Sequence, residues 1–304
     1  MPFYVIMKWL RVDFMINFHK YGFLDCKRLK KILEDSNIYL NEYNPIYLFV
    51  WADLYKPEIY FGRDFTYIKY YLNDFGFVYY PPIGKGNYNL AIVELELDAQ
   101  ERGIDFYMAP GLQSSLIRYK TLGYSFYENE NRNTYIYSTS NFNLTGNAFK
   151  KYKKNLQQFS KEHKNTRIKI IKKEDFNSIL EFIANYRSQN EIKADQKFYS
   201  KLNMLKQCME HLYELDMYGI VVLDDDRIYG FSIASVMDNC TYVHIIMGLD
   251  DDCYDVVMFQ IARYAETKTR YLALEGHFGN AKEKKRLEEY LPLRIEKYYG
   301  TFNI

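Results

Sequence analysis

The chain has 304 residues with 40 basic and 39 acidic side chains, and its formal net charge of +1 predicts no general attraction to nucleic acid or to an anionic membrane. No apolar run approaches the roughly 18 residues that span a bilayer. The four cysteines show no CxxC spacing and the five histidines are scattered, which argues against a structural zinc site and fits the reduced thiols of a cytoplasmic protein.

The first residues do not match a secretion signal. The segment PFYVIMKWL (2–10) is apolar but short, and it lacks a small-residue cleavage site. We interpret residues 1–14 as an N-terminal extension ahead of Met15, where the matching part of the chain begins.

Residues 15–140 are predicted to form a first α/β unit. Aromatic and apolar clusters between turn residues indicate short strands, and apolar residues at 90, 93 and 97 have helical spacing. Prolines at 81 and 82 and the GKGN turn at 84–87 interrupt the strands. The predicted helices are 26–35, 89–102 and 114–122, and the predicted strands are 66–71, 77–80 and 105–109; the segments 45–52 and 58–60 fit either a strand or a short buried helix.

Residues 141–304 are predicted to form a second α/β unit. An Asp-Asp-Asp-Arg turn at 224–227 joins two apolar segments into a hairpin, and Pro292 ends a last, highly charged helix. No stretch rich in Gly, Pro or Ser separates the halves, so a flexible linker between them is not predicted. The other predicted helices are 147–162, 175–188, 197–216 and 254–267, and the predicted strands are 167–171, 219–223, 228–236, 240–248 and 270–275.

Three segments resemble one known family. They are NEYNPIYLFVW (41–51), NTYIYSTSNFNLTGNAFKKYKKNLQQF (133–159) and LALEGHFGNAKEKKRLEEYLPLRIEKYYGTF (272–302). Through them the chain, over about residues 15–302, is similar to the C-terminal catalytic domain family of bacterial phosphatidylglycerol lysyltransferase. The resemblance implies an α/β fold of two tandem GNAT-like units, each a twisted mixed β-sheet flanked by helices.

The chain departs from the family's pattern at polar positions. The family's Asn-Arg-Glu-Glu-Asp-x-Gly cluster survives only as Glu275 and Gly279, with His277 at the aspartate position, and a family Glu-Lys pair is replaced by apolar residues at 245–247. The retained spacing favours an aminoacyltransferase or acyltransferase that acts on an amine or hydroxyl acceptor. The lost charges favour a catalytically inactive scaffold that binds a partner, RNA or a small ligand. The sequence leaves both hypotheses open.

The resemblance also implies a mechanism. GNAT units separate a central pair of parallel strands, here 240–248 and 270–275, so that backbone N–H groups polarise the carbonyl of a thioester or ester. The family points to aminoacyl-tRNA as the donor, and no metal or other cofactor is required. A coenzyme A thioester is a poor candidate, because four carboxylates at the start of the helix that follows the first of these strands would repel its pyrophosphate. They are Asp250, Asp251, Asp252 and Asp255.

Three residues are candidates for proton transfer. Glu275 and His277 are suited to act as a general base, since an imidazole titrates near pH 6.5. Tyr290 is suited to protonate a leaving oxygen. The alternatives are an exposed loop histidine and a tyrosine that packs at a helix end. A transferase is expected to have a deep cleft between strands 240–248 and 270–275, lined by Glu275 or His277. A cleft filled by Ile246, Met247 or tyrosines would favour the scaffold.

Further candidates are substrate-binding residues. The resemblance suggests His244, Lys297 and Tyr298; the alternative for the last two is an edge strand whose lysine extends to solvent.

A basic stripe from Lys150 to Lys173 holds ten basic residues against a single acid, Glu162. It is suited to contact the phosphates of a tRNA acceptor stem or of lipid headgroups. The alternative is a solvated helix face. The members taken as substrate-binding candidates are Lys151, Lys153 and Lys154.

Overall fold

The computed structural model describes residues 15–34, 36–143 and 149–303. In these ranges the chain forms two mixed β-sheets flanked by helices, so the predicted α/β fold class is confirmed. None of the helices in these ranges has the length and hydropathy needed to cross a membrane.

The helices are short to medium in length. They are α1 (Phe23–Leu33), α2 (Pro45–Val50), α3 (Ala52–Tyr55), α4 (Tyr88–Glu101), α5 (Leu116–Thr121), α6 (Lys150–Glu162), α7 (Phe176–Gln189), α8 (Gln196–Glu210), α9 (Asp251–Glu266) and α10 (Ala281–Glu289). The strands are β1 (His19–Lys20), β2 (Glu58–Phe61), β3 (Phe65–Leu72), β4 (Gly76–Tyr79), β5 (Ile83–Gly84), β6 (Tyr107–Gly111), β7 (Tyr124–Glu128), β8 (Thr134–Ser138), β9 (Thr166–Ile170), β10 (Met217–Asp224), β11 (Arg227–Met237), β12 (Cys240–Gly248), β13 (Tyr271–Leu274), β14 (Arg294–Glu296) and β15 (Tyr299–Asn303).

Two compact units share the chain in an interleaved way. Among the described residues, the first unit holds 15–21, 55–128 and 298–303, and the second holds 22–54 and 129–297. This division differs from the expected one, which placed 15–140 in one unit and 141–304 in the other. The reason is strand pairing between segments distant in sequence: β8 pairs with β13 in the second sheet, and β15 lies between β6 and β7 in the first.

The first sheet has the strand order β1-β2-β3-β4-β6-β15-β7, with β5 paired to β3. Tyr79 and Met108 lie in its core. Asp98, fully buried on α4, accepts hydrogen bonds at 2.8 Å from the Tyr79 hydroxyl, the Ile16 N–H and Arg102 Nε. Because a buried carboxylate needs such partners, Asp98 has a structural role in this unit.

The second sheet has the order β14-β8-β13-β12-β11-β10-β9. Its pairs are antiparallel except for the central pair, β12 and β13, which is parallel. The elements from α6 to β14 also follow the predicted order of helix, strand, two helices, hairpin, strand, helix, strand, helix and strand.

Alternate side chains on these strands point to opposite faces of the second sheet. Leu272 and Leu274 of β13 join a large core cluster with α9, and we call this side the α9 face. Ala273 joins a smaller cluster with Tyr39 and Tyr242 on the other side, which we call the Tyr39 face. Residues 22–54 contribute to that side through Tyr39.

The segment 45–52, for which strand and helix were both open, contains helix α2. The Asn44 side chain caps the helix by accepting a hydrogen bond from the Ile46 N–H at 2.9 Å, and Pro45 occupies the first turn, where no N–H is required. All residues of α2 are buried, and the helix packs against α8. The cap therefore fixes the start of α2, which packs against α8 within the second unit.

Candidate functional site

The two central strands of the second sheet diverge after three paired residues. Residues 240–242 of β12 pair with residues 271–273 of β13. Beyond Tyr242, β12 continues to Gly248 along β11, whereas Leu274 of β13 pairs with Tyr135 of β8. The strands therefore separate at the place where the sequence predicts a gap, and the β13-facing edge of β12 has no ladder partner there among the described residues.

His244 lies at an irregularity next to this gap. In the β11–β12 register Ile245 faces Ile233 and Val243 faces Ala234, so His244 is the additional residue of a β-bulge. Bulges redirect side chains and are frequent beside active sites. The ring is buried, and burial lowers the pKa of His244 to about 3, so it is neutral at physiological pH.

Glu275 follows directly after the point where β13 leaves β12, on the Tyr39 face. The side chain as a whole is partly exposed, but its Oε1 is buried without a hydrogen-bond partner, while the Tyr47 hydroxyl donates a hydrogen bond to the carboxyl group. Desolvation, and then the charge of Glu42, raise the pKa of Glu275 to about 8. A carboxyl that titrates near neutral pH is suited to proton transfer.

Glu42 is a neighbour of Glu275 that the sequence did not lead us to predict. It is buried in the short turn Asn41–Tyr43, and Arg132 Nη1 lies 3.5 Å from its Oε1. Desolvation raises the pKa of Glu42 to about 7, against the opposing effect of Arg132. The sequence did contain a clue to Glu42, because this acid lies within the NEYNPIYLFVW segment that carries the family resemblance.

His277 is buried rather than exposed, and it lies in different surroundings from Glu275. Its Nδ1 accepts a hydrogen bond from the Gly279 N–H at 3.2 Å, and its Nε2 is buried without a hydrogen-bond partner. Burial and then Lys284 lower the pKa of His277, whereas the groups acting on Glu275 belong to residues 42, 47, 132 and 201. Among the described residues, no hydrogen bond joins His277 to Glu275.

Tyr290 lies in the core of the α9 face, opposite to the face that carries Glu275. Its ring packs in a cluster with Tyr152 and Phe259, and its hydroxyl donates to Asp255 Oδ1 at 2.6 Å. Burial and then Asp255 raise the pKa of Tyr290 well above its ordinary value. The structure therefore places Tyr290 in the packing at a helix end, on the face of the sheet opposite to Glu275.

Replacing Tyr290 with phenylalanine tests this placement. We expect Tyr290→Phe to lower the free energy of unfolding by about 1–2 kcal/mol, because the buried Asp255 loses a donor. The transfer rate per folded molecule should stay within about twofold of wild type. Urea unfolding and an activity assay on the same preparation measure both; a rate loss of tenfold or more without a stability loss would restore Tyr290 as a proton donor.

The remaining predicted residues lie on other segments of the chain than Glu275. Lys297 is exposed at the C-terminal end of the second unit. Tyr298 belongs to the first unit, where it is buried with its hydroxyl 2.7 Å from that of Tyr70. Lys153 and Lys154 are exposed on α6, and the side chain of Lys151 lies outside the described residues.

The N-terminus of α9 is occupied by its own chain. Asp250 Oδ1 accepts the Cys253 N–H at 2.8 Å and so caps the helix, and Asp251 binds both Lys282 and Arg286 at 2.7 Å. These cations lower the pKa of Asp251. In the ranges that the structure describes, no group of three or more His, Cys, Asp or Glu side chains is placed to hold a metal ion.

A groove of about 800 Å³ lies at the far edge of the second sheet, between β9 and α7. Its charged walls are already paired, Lys169 with Asp175 and Arg167 with Asp226, each at 2.5 Å. Since β9 is separated from the diverging strands by β10 and β11, this groove does not belong to the candidate site.

Comparisons with known proteins agree with this fold. Residues 38–297 match the sequence profile described as phosphatidylglycerol lysyltransferase, C-terminal. A conserved protein of unknown function from Bacteroides thetaiotaomicron is 18% identical, with a TM-score of 0.87 over 94% of this chain and 99% of that one. A C-terminal DUF2156 domain from Agrobacterium fabrum (10% identity) and L-PGS from Bacillus licheniformis (13%) each give a TM-score of 0.63 over 91% of both chains. No curated protein sequence matches.

Proposed function

Because the chain belongs to the family of the C-terminal domain of phosphatidylglycerol lysyltransferase, we propose that it is an aminoacyltransferase or acyltransferase. It would move an activated acyl group onto an amine or hydroxyl acceptor in the gap between β12 and β13. FemX, an additional structure of similar fold, has a TM-score of 0.55 at 8% identity and supports the fold alone.

One observation carries the proposal. Glu275 is the first residue after β13, whose ladder with β12 ends at Ala273, and desolvation and then Glu42 raise the pKa of its carboxyl to about 8. The free edge offers backbone N–H groups to a developing oxyanion, and the carboxyl offers a proton acceptor. A partly exposed carboxyl whose pKa is raised by desolvation and by the neighbouring Glu42 is a candidate for proton transfer.

The reaction would proceed by direct attack. The acceptor nitrogen or oxygen forms a bond to the acyl carbon, and ionised Glu275 takes its proton. The tetrahedral intermediate then breaks the bond to the leaving oxygen of the donor, and Glu275 returns the proton to that oxygen. Desolvation and then the charge of Glu42 raise the pKa of Glu275, and Arg132 opposes them.

An aminoacyl-tRNA is the donor that we propose in preference to a coenzyme A thioester. At the N-terminus of α9, where a pyrophosphate would lie, Asp250 caps the helix and Asp251 is ion-paired, so the position is acidic and filled. Exposed Lys153 and Lys154 on α6 instead provide a basic surface for phosphates of a tRNA acceptor stem.

The second candidate is an inactive scaffold that binds a partner, RNA or a small ligand. It is favoured by Ile246, which packs against the core cluster of the α9 face in place of the family's charged residues. Transfer is the better supported hypothesis, because the packing of Ile246 does not account for the raised pKa of Glu275.

The decisive experiment presents the protein with tRNA charged with labelled amino acids, with acyl-coenzyme A, and with amine, hydroxyl and lipid acceptors. We expect label to pass from the aminoacyl-tRNA to an acceptor, and only with folded protein. If no donor is consumed while tRNA still binds, the scaffold hypothesis replaces the transferase.

A charge-reversal pair tests the basic surface. Lys153→Glu/Lys154→Glu is expected to weaken tRNA binding about tenfold or more at 0.1 M salt and to reduce the slope of log K against log salt by about one to two. The matched control, Lys20→Glu/Lys85→Glu, changes two exposed lysines of the first unit by the same charge. Equal losses in both pairs would show that α6 has no special role in binding.

A further inference from the structure

We infer that Asn44, Ser235 and His244 form a positioning relay that holds the carboxyl-bearing segment 41–47 against the bulge where β12 leaves β13. The inference rests on the proposed function and deepens it, because it names residues that hold Glu42 and Tyr47, the neighbours of the acid-base group Glu275, without touching the substrate.

Asn44 uses both ends of its amide. Its Oδ1 accepts the Ile46 N–H at 2.9 Å and so caps α2, while its Nδ2 donates to Ser235 Oγ at 3.1 Å. Both Asn44 and Ser235 are fully buried. An aspartate would cap the helix equally well but has no donor, so the pair of bonds requires an amide.

The hydroxyl of Ser235 connects Asn44 to His244. Its Oγ lies 2.7 Å from His244 Nε2. Because the oxygen already accepts from Asn44, and no other acceptor for its proton is present among the described residues, the proton is donated to Nε2. His244 is then neutral, with its proton on Nδ1.

The relay joins the two sides of the proposed site. On the helix side, Asn44 stands between Glu42 and Tyr47, whose hydroxyl binds Glu275. On the sheet side, His244 is the bulge residue at the start of the free edge of β12. A second tether, from the Asn41 N–H to Thr134 Oγ1 at 2.9 Å, fixes the other end of the same turn.

Removing the central hydroxyl tests the relay. In Ser235→Ala we expect the carboxyl carbon signal of Glu275 in NMR to titrate at least one pH unit lower, because the loosened segment admits water. The NMR signals of the His244 ring are assigned by their disappearance in His244→Gln. In Ser235→Ala we expect these signals to show both tautomers instead of the Nδ1–H form alone. If transfer activity is present, kcat should fall tenfold or more with little change in the KM for the donor.

Thr269→Val is the matched control. Thr269 is also a buried hydroxyl, but its partners are Thr241 and backbone oxygens near the end of α9. Its removal should leave the titration of Glu275, the His244 tautomer and kcat unchanged. Wild-type titration and a wild-type tautomer in folded Ser235→Ala would overturn the relay. The two NMR measurements need no activity, so failure of the proposed function is recognised separately by the absence of transfer in the wild-type protein.

Discussion

Glu275→Gln should lower the rate of acyl transfer by about 10²–10⁴-fold, the usual contribution of a positioned general base. Glutamine has nearly the same shape as the protonated acid but cannot accept the proton of the acceptor. Because the pKa of Glu275 lies at about 8, kcat/KM of the wild-type protein should rise with pH through that value. The rise should be absent from the residual activity of Glu275→Gln. Steady-state rates from pH 6 to 9.5 give both results.

A second acid serves as the control for this substitution. Glu289 accepts a hydrogen bond from the Tyr152 hydroxyl at 2.9 Å in the cluster that contains Tyr290, on the α9 face. Glu289→Gln should retain the wild-type rate and pH profile. If Glu275→Gln also keeps more than about half of the wild-type rate, Glu275 is not the base and the proposed chemistry must be abandoned.

The same substitution should affect stability at alkaline pH and have little effect at acid pH. The folded protein raises the pKa of Glu275 to about 8 and that of Glu42 to about 7, so between the unfolded value near 4.5 and these values the folded state binds more protons. The stabilisation that these two protonated carboxyls contribute is therefore fully present below about pH 4.5. It is lost as pH rises through their folded-state pKa values of about 7 and 8. Glu275→Gln removes one of the two charges that develop there.

We expect Glu275→Gln to be more stable than wild type by roughly 2 kcal/mol at pH 9, after discounting for the exposed portion of the side chain, and nearly equal to it at pH 5. Urea unfolding at several pH values, followed by tryptophan fluorescence, measures the difference. Glu174→Gln, on the exposed surface of the same unit, should show no such pH dependence. A constant offset between Glu275→Gln and wild type would mean that Glu275 ionises normally in the folded protein.

The sequence was sufficient to predict the elements of the fold because the signals for each element are local. The apolar runs, the hairpin turn at 224–227 and the charged helix before Pro292 each set one element, and the family resemblance ordered them. The position of Glu275 at the end of β13 followed from the same spacing. The separation of β12 from β13 was likewise expected from the resemblance, and the register of the two strands bears it out.

The assembly of the site was not predictable, since it depends on contacts between distant residues. Glu42 and Glu275 interact across more than two hundred positions, and nothing local shows that a turn at 41–43 folds beside β13. The bulge at His244 is a matter of register with β11. For Tyr290, the spacing before Pro292 gave the position in the chain but not the face of the sheet, and the face decides between catalysis and packing.

The place of β15 has a consequence for how the protein is made. Thr301 of β15 binds the carbonyl of Met108 across 193 positions of the chain, and β6 and β7 are neighbours only through this strand in the described sheet order. A ribosome therefore releases β6 and β7 long before it supplies the strand that joins them. Until then the nascent first unit exposes two unpaired edges, so it completes its fold last although most of it is synthesised first.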